Sequence, residues 1–402
     1  MGSGKSSAAI TYMNEHKEEK YIFITPFLEE TKRVRVNCPD LHFIEPSSKI
    51  PKYGFTKRNH TESLISEGRN IATTHSAFKM YDMNMLSKIK EKGYILVIDE
   101  NVDVLEQMVA NPNDLKLVIE NGFMKEENGE YRITDKEYDG TALKSGLLGI
   151  AKSRPLVKVK SETNLLYYWS LPSELITSFK DVFILTYMFE SQSIYYMLRM
   201  NHLSYKYIGV KKDECGVYRF TDEKDLSPEY VKSLKDKIHI LENSKLNSIG
   251  ENLYDLSVSW FSKNNSDVDR LRRNIYNCYN NLWKVSPSER MWSTYKIAQH
   301  RLKGKGYIKS FLVFNSKATN NFRKRTRLVY AVNIFMNVNE KLFYKKYGIK
   351  VNEDDYALSA MIQWIWRSAI REGKDIYVYI PSVRMRTLLI NWIDSVSKGV
   401  CN

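Results

Sequence analysis

Short apolar runs alternate with polar, helix-compatible stretches through the first hundred residues. "KYIFITP" (20–26), "NIATTHSAF" (70–78) and "GYILVIDE" (93–100) read as strands, because each is a brief β-branched or aromatic run bounded by polar residues. Strands at this spacing favour a parallel sheet with crossover helices, whose ligands bind beyond the carboxyl ends of the strands. Thr25 and Asp99 fall on that edge. Residues 110–170 break the pattern, being acidic around "MKEENGEYRITDKEYDG" and weakly periodic, and read as an insertion. The alternation resumes with a strand in "SFKDVFILTYMF" (178–189) and a helix in "SIYYMLRMNHL" (193–203). In the second half "IKSFLVF" (308–314) and "DIYVYIP" (375–381) read as strands, flanking a helix over "YALSAMIQWIWRSAIREGK" (356–374) that Gly373 would end. No tandem repeat appears.

Composition sharpens this picture in two places. The chain of 402 residues is 43% hydrophobic and 27% charged, and no stretch approaches the length of apolar residues a membrane span needs, so a soluble, cytoplasmic protein is expected. The net charge of +14 is not spread evenly. Residues 1–200 carry 26 Lys+Arg against 27 Asp+Glu, leaving 35 against 20 for 201–402. The excess sits in the second half, including "RLRRN", "RLKGKGY" and "FRKRTR" between Arg270 and Arg327. A polyanion is the expected partner, since neutralised phosphates release counterions; a solvated helix face explains each cluster singly. The four cysteines form no C-x-x-C pair and the seven histidines no H-x-x-x-H pair, which leaves zinc without its spacing.

The chemistry begins at the N-terminus. "MGSGKSS" ends as a phosphate-binding loop does, G-x-x-x-x-G-K-[ST], with Gly4, Lys5 and Ser6 in the last three positions. Backbone amides of Gly2, Ser3, Gly4, Lys5, Ser6 and Ser7 would wrap phosphates at a helix start, Lys5 would reach the β- and γ-phosphates, and the Ser6 hydroxyl would ligate Mg²⁺. The leading glycine and its strand would lie upstream of Met1, so the chain is expected to be truncated there or to have an earlier start codon. Otherwise another segment must fill the place beside the "YILVIDE" strand. In "ILVIDEN" Asp99 would hold Mg²⁺ and Glu100 would orient and deprotonate the attacking water. An apolar run ending in Asp-Glu also suits an ordinary strand meeting a loop; its joint occurrence with Gly4-Lys5-Ser6 favours chemistry.

In motif order these pieces resemble the motor core of superfamily 2 helicases, the DExH/DEAD-like nucleic-acid-dependent ATPases. The resemblance implies an α/β fold of two RecA-like domains, each a mainly parallel sheet flanked by helices. They would span 1–203, with the insertion and without its first strand, and a basic 204–402. It implies ATP and Mg²⁺ as cofactors. "FITPFLEETKRV" is similar to the motif that sets Thr25 on a backbone phosphate, and "ATTHSAF" offers Thr73, Thr74 and His75 to the strand. "FILTYMF" matches the coupling motif, with Thr186 as its hydroxyl. "FNSKATNNFRKR" resembles a further strand-contact motif through Lys317, Thr319 and Asn320. "QWIWRSAIR" resembles Q-x-x-G-R-x-x-R through Gln363 and Arg367, but Trp366 replaces the glycine and Arg371 comes one residue late. Gln363, Arg367 and Arg371 would still share a helical face at i, i+4, i+8, with one arginine serving as a finger on the γ-phosphate.

A narrower resemblance to origin-binding helicases of large viruses and phages implies a replication protein acting on DNA more than RNA, with other replication proteins as partners. Two other functions stay open. A phage packaging ATPase shares both motifs, although its nuclease needs separated acidic ligands and the second half offers the single run Glu353-Asp354-Asp355. A nucleic-acid-binding protein with a degenerate ATP site is the third.

Overall fold

The computed structural model describes residues 4–108, 111–140, 143, 146–160, 165–222, 228–263, 266–316 and 321–397. It divides into two units, one of Gly4–Glu223 with Asn337–Val351, the other of Lys224–Met336 with Asn352–Asn402. Both are α/β, with parallel sheets flanked by helices. The division lies beyond the expected 203/204 boundary because the hairpin at 209–221 packs on the first unit.

The first unit starts with helix α1 (Lys5–Glu15), followed by β1 (Lys20–Thr25), α2 (Leu28–Asn37), β2 (Ile71–Thr74), α3 (Met83–Lys92) and β3 (Tyr94–Asp99). β1 and β3 are buried along almost their whole length, which is why they read as continuous apolar runs rather than alternating ones. Successive side chains still point to opposite faces. Ile22, Ile24, Leu96 and Ile98 pack with Leu86 and Ile89 of α3 on one side, and Tyr21, Phe23, Ile95 and Val97 pack with Ala9 and Met13 of α1 on the other. Asp82 caps α3 by accepting from the Met85 amide, and Gly93 ends it at φ +68°.

The region read as an insertion carries β4 (Leu105–Gln107), β5 (Met124–Glu127), β6 (Glu130–Ile133), β7 (Leu156–Lys160) and β8 (Leu165–Ser170). They form an antiparallel sheet of order β4-β8-β7-β6-β5, closed over its own core around Leu156, Trp169 and Val118. Helix Val338–Lys346 belongs to this unit despite its position in the sequence. Phe343 meets Tyr168 with ring centroids 6.1 Å apart, and Lys346 Nζ donates to the Gly129 carbonyl at 3.2 Å.

The chain then adds β9 (Asp181–Leu185), α4 (Ser193–Met200) and a hairpin of β10 (Gly209–Lys212) and β11 (Tyr218–Thr221). The parallel sheet is ordered β2-β1-β3-β9. β3 is therefore flanked on both sides, so the place beside "YILVIDE" is filled by β9, the last strand of this sheet among the described residues. The hairpin packs there, with Phe220 stacked on Phe183 at 5.3 Å and 5° between planes, and Arg219 ion-paired to Glu15 of α1.

In the second unit β12 (Ile238–Ile240), β13 (Arg290–Ser293), β14 (Arg327–Tyr330) and β15 (Ile376–Tyr379) form a parallel sheet ordered β12-β15-β14-β13. Helices α5 (Glu353–Ile365) and α6 (Val383–Ser397) follow β14 and β15. Residues 308–314 are not the expected strand. Ile308–Ser310 is a 3-10 turn and Phe311 makes a single bridge to Trp292 on the outer side of β13, the last strand of the sheet, while the Trp292 indole N–H donates to the Tyr307 carbonyl.

Candidate nucleotide site of the first unit

Gly4 caps α1 in the left-handed conformation (φ +80°, ψ 12°), which glycine adopts at no steric cost. Helix geometry leaves the first-turn amides without carbonyl partners inside the helix, so they face an incoming anion with the positive end of the dipole. Among the described residues of the loop, Lys5, Ser6 and Ser7 lie on that first turn, whereas Gly2 and Ser3 are outside the described residues.

Ser6 and Asp99 are brought together by the sheet. The Ser6 hydroxyl donates to Asp99 Oδ1 at 2.9 Å across 93 residues of sequence. Burial pushes the Asp99 carboxyl up to about 6, the Ser6 hydrogen bond working against that shift and Glu100 adding to it. Lys5 is shifted down by burial, opposed by the Asp99 charge. A hydroxyl and a carboxylate are the hard oxygen donors that Mg²⁺ takes, with phosphate and water filling its other positions. The donor set fits the ion. Among the described residues no group of three or more His, Cys, Asp or Glu forms a metal site by itself.

Glu100 follows β3 at φ +63°, a left-handed conformation that is costly for a non-glycine residue, and its amide donates to the Leu185 carbonyl at 3.2 Å. Met188, just past β9, is likewise left-handed (φ +48°). Two strained turns thus sit at the carboxyl ends of adjacent strands. Thr186, the residue after β9, is half-buried.

Other residues fall differently from expectation. Thr25 is fully buried, Thr73 and His75 are buried, and His75 Nε2 donates to the Asp99 carbonyl at 2.9 Å. His75 thereby braces the Asp99 strand, and the buried Thr25, Thr73 and His75 side chains offer little surface to a nucleic-acid phosphate. Thr74 caps the short helix His75–Phe78 by accepting from the Ala77 amide. Lys317, Thr319 and Asn320 lie outside the described residues. The shared helical face of Gln363, Arg367 and Arg371 does not form, since α5 ends at Ile365 and Arg371 lies on the 3-10 turn Ala369–Glu372. Gln363 donates to the Ser359 hydroxyl, Arg367 is buried and Arg371 is exposed. The acidic run is structural. Asn352 caps α5 by accepting from the Asp355 amide, Glu353 accepts from the Met336 amide, and Asp354 pairs with Arg384 at 2.7 Å.

The structure also adds residues that sequence reasoning missed. Arg33 of α2 reaches the Ser7 hydroxyl at 3.4 Å, the Lys5 ammonium lies 5.9 Å from the Tyr187 ring centroid, and the Tyr218 ring packs directly on Gly4. No motif flags them, because a lone arginine or tyrosine carries no spacing signal.

Comparison with known proteins places these features in context. A family described as the YonV C-terminal Rossmann-like domain matches residues 232–393. The SPbeta prophage-derived protein YonV of Bacillus subtilis (strain 168) is 36% identical over 405 residues, covering 98% of this chain and 97% of that protein. Among solved structures, an XPD helicase superposes with a TM-score of 0.49 at 11% identity, covering 97% of this chain and 93% of its own. A second XPD structure, labelled apo, gives 0.45 at 12% identity, with 97% and 94% covered. At that level of superposition they assign no activity to this chain.

Proposed function

The chain belongs to the family of the SPbeta prophage-derived protein YonV, and from that premise we propose that it is an ATP-hydrolysing motor acting on nucleic acid, DNA more than RNA, in the replication of a phage or mobile element. The observation that carries the reading is the Ser6–Asp99 hydrogen bond at the N-terminus of α1. It joins the end of a phosphate-binding loop to the acidic strand of the second motif. A strand that merely met a surface loop would have no reason to end against a serine 93 residues away.

In this reading the first-turn amides of α1 and the Lys5 ammonium bind the triphosphate. Bound Mg²⁺, held by Ser6 and Asp99, would supply charge neutralisation on the phosphates. Glu100 accepts the proton of a water that attacks the γ-phosphorus, and the bond to the bridging oxygen breaks to leave ADP and phosphate. Thr186, just past β9, would pass the nucleotide state onward. The packaging alternative shares both ATPase motifs, but the Glu353-Asp354-Asp355 run gives it no nuclease site, being engaged in capping and pairing.

The test is ATP turnover by the full chain, alone and with single- and double-stranded DNA and RNA. Turnover should rise with nucleic acid and be lost in Lys5→Ala and Glu100→Gln. A protein that binds nucleic acid but neither binds nor hydrolyses ATP is the degenerate-site alternative, and that result removes the motor.

A further inference from the structure

Residues 187–212 hold a second feature that the nucleotide site does not use. Phe189, Tyr195, Tyr205 and Tyr207 form one connected ring cluster, with centroids 5.1 Å apart for Phe189–Tyr205, 5.5 Å for Phe189–Tyr195 and 5.6 Å for Tyr205–Tyr207. Every one of these contacts is edge-to-face. The cluster is built from the start of α4, the turn before it and the irregular segment 203–208.

Its exposure separates it from core packing. Tyr196, the next residue along α4, is 2% exposed and packs on Tyr344 at 4.8 Å. Tyr205 and Tyr207 are 41% and 44% exposed. They are two residues apart, and their rings meet edge-to-face with centroids 5.6 Å apart, so the two exposed rings form one patch. Amphipathic rings left this open are costly as plain surface and suited to a partner with flat π-faces.

Charge selects the partner. From Arg199 to Lys212 the chain holds Arg199, Lys206, Lys211 and Lys212 and no Asp or Glu. The Arg199 guanidinium lies 5.8 Å from the Tyr195 ring centroid and donates to its hydroxyl at 3.0 Å. Lys206 is 82% exposed, and its contact with Asp222 is 3.9 Å long between two solvated groups, an arrangement worth little. The acid at the cluster, Glu190, accepts the Tyr207 hydroxyl at 2.8 Å, which holds that ring in place. Open rings interleaved with cations are the pattern by which unpaired bases stack while the backbone is neutralised.

We propose that Tyr205 and Tyr207, with Lys206 between them, form a stacking platform for single-stranded nucleic acid. This deepens the motor reading and rests on it for the partner class. The platform is tested with oligo(dT) and oligo(U) binding by fluorescence anisotropy across a salt series, using the full chain. Tyr205→Ala/Tyr207→Ala should weaken binding about tenfold or more with the salt slope unchanged, because stacking releases no counterions. Tyr205→Phe/Tyr207→Phe should retain affinity. Lys206→Gln should flatten the slope by about 0.7, the value of one single-strand phosphate contact. ATP turnover without nucleic acid should stay at the wild-type rate in all three.

Wild-type affinity in the alanine variant overturns the platform. So does equal loss in the phenylalanine variant, which would assign the effect to the hydroxyls. So does a changed sedimentation coefficient with unchanged oligonucleotide affinity, which would make the patch an interface between copies. If ATP turns over but no single strand binds, the platform falls while the ATPase survives; if the tyrosines hold a strand but ATP is not hydrolysed, the platform stands and the motor falls.

Discussion

Gly4 shows how one residue meets two demands that only partly show in a sequence. The loop pattern asks for glycine there, and its φ of +80° gives one reason. The other is that a Cβ would stand 2.2 Å from the Tyr218 ring. Gly4→Ala is therefore expected to lower thermal stability by more than the ~1–2 kcal/mol of a left-handed alanine, and to weaken ATP binding; an unchanged melting temperature would disprove the contact. Asp99 is the second case. Its folded value of about 6 lies above the ordinary 3.8, so the folded state holds the proton more tightly than the unfolded chain. Stability is then present at low pH and falls as pH rises from about 4 to about 6. Asp99→Asn should raise the melting temperature of the nucleotide-free protein more at pH 8 than at pH 4 while abolishing ATP turnover. Equal shifts at both pH values would show that the carboxylate carries no such penalty.

Among the elements, β1 and β3 are legible because burial on both faces forces long apolar runs, and β9 and β15 likewise fall inside their expected spans. β12, β13 and β14, three or four residues long, carry no expectation from the sequence, although β15 is as short. The stretch 308–314 is apolar enough for a strand, yet it begins as a 3-10 turn and reaches the sheet only through the single Phe311–Trp292 bridge at the edge of β13. The hairpin β10–β11 is likewise silent in the sequence, because what matters is where Phe220 lands: against Phe183 of β9 and within 5.9 Å of Tyr12 on α1. Phe220→Ala should destabilise the protein by about 1–3 kcal/mol, less than a fully buried phenylalanine because Phe220 keeps some exposure. Urea unfolding measures this. A loss below about 0.5 kcal/mol would mean the hairpin only rests on the sheet.

Over the whole molecule, charge is the property that sequence states most directly. The positive excess in residues 201–402 predicts nucleic-acid affinity that falls linearly in log–log form with salt, with a slope near −4 if about six single-strand phosphates are neutralised. A flat salt response would remove the polyanion as partner. Chain order misleads in one respect. Helix Val338–Lys346 lies in the basic half of the sequence but packs in the first unit, since a short helix goes where its apolar face is covered and not where its neighbours in sequence lie.

The sequence by itself determined the α/β class, the burial of the central strands and the residue types at the N-terminal glycine turn, because local geometry and solvent exclusion act through spacing and side-chain character. Tertiary structure alone decided that Ser6 meets Asp99, that Thr25, Thr73 and His75 turn inward, that the helical face of Gln363, Arg367 and Arg371 is broken, and that Tyr205 and Tyr207 stay open while Tyr196 is covered. Each of these depends on which distant surface arrives beside a residue. Packing sets that, and no pattern along the chain records it.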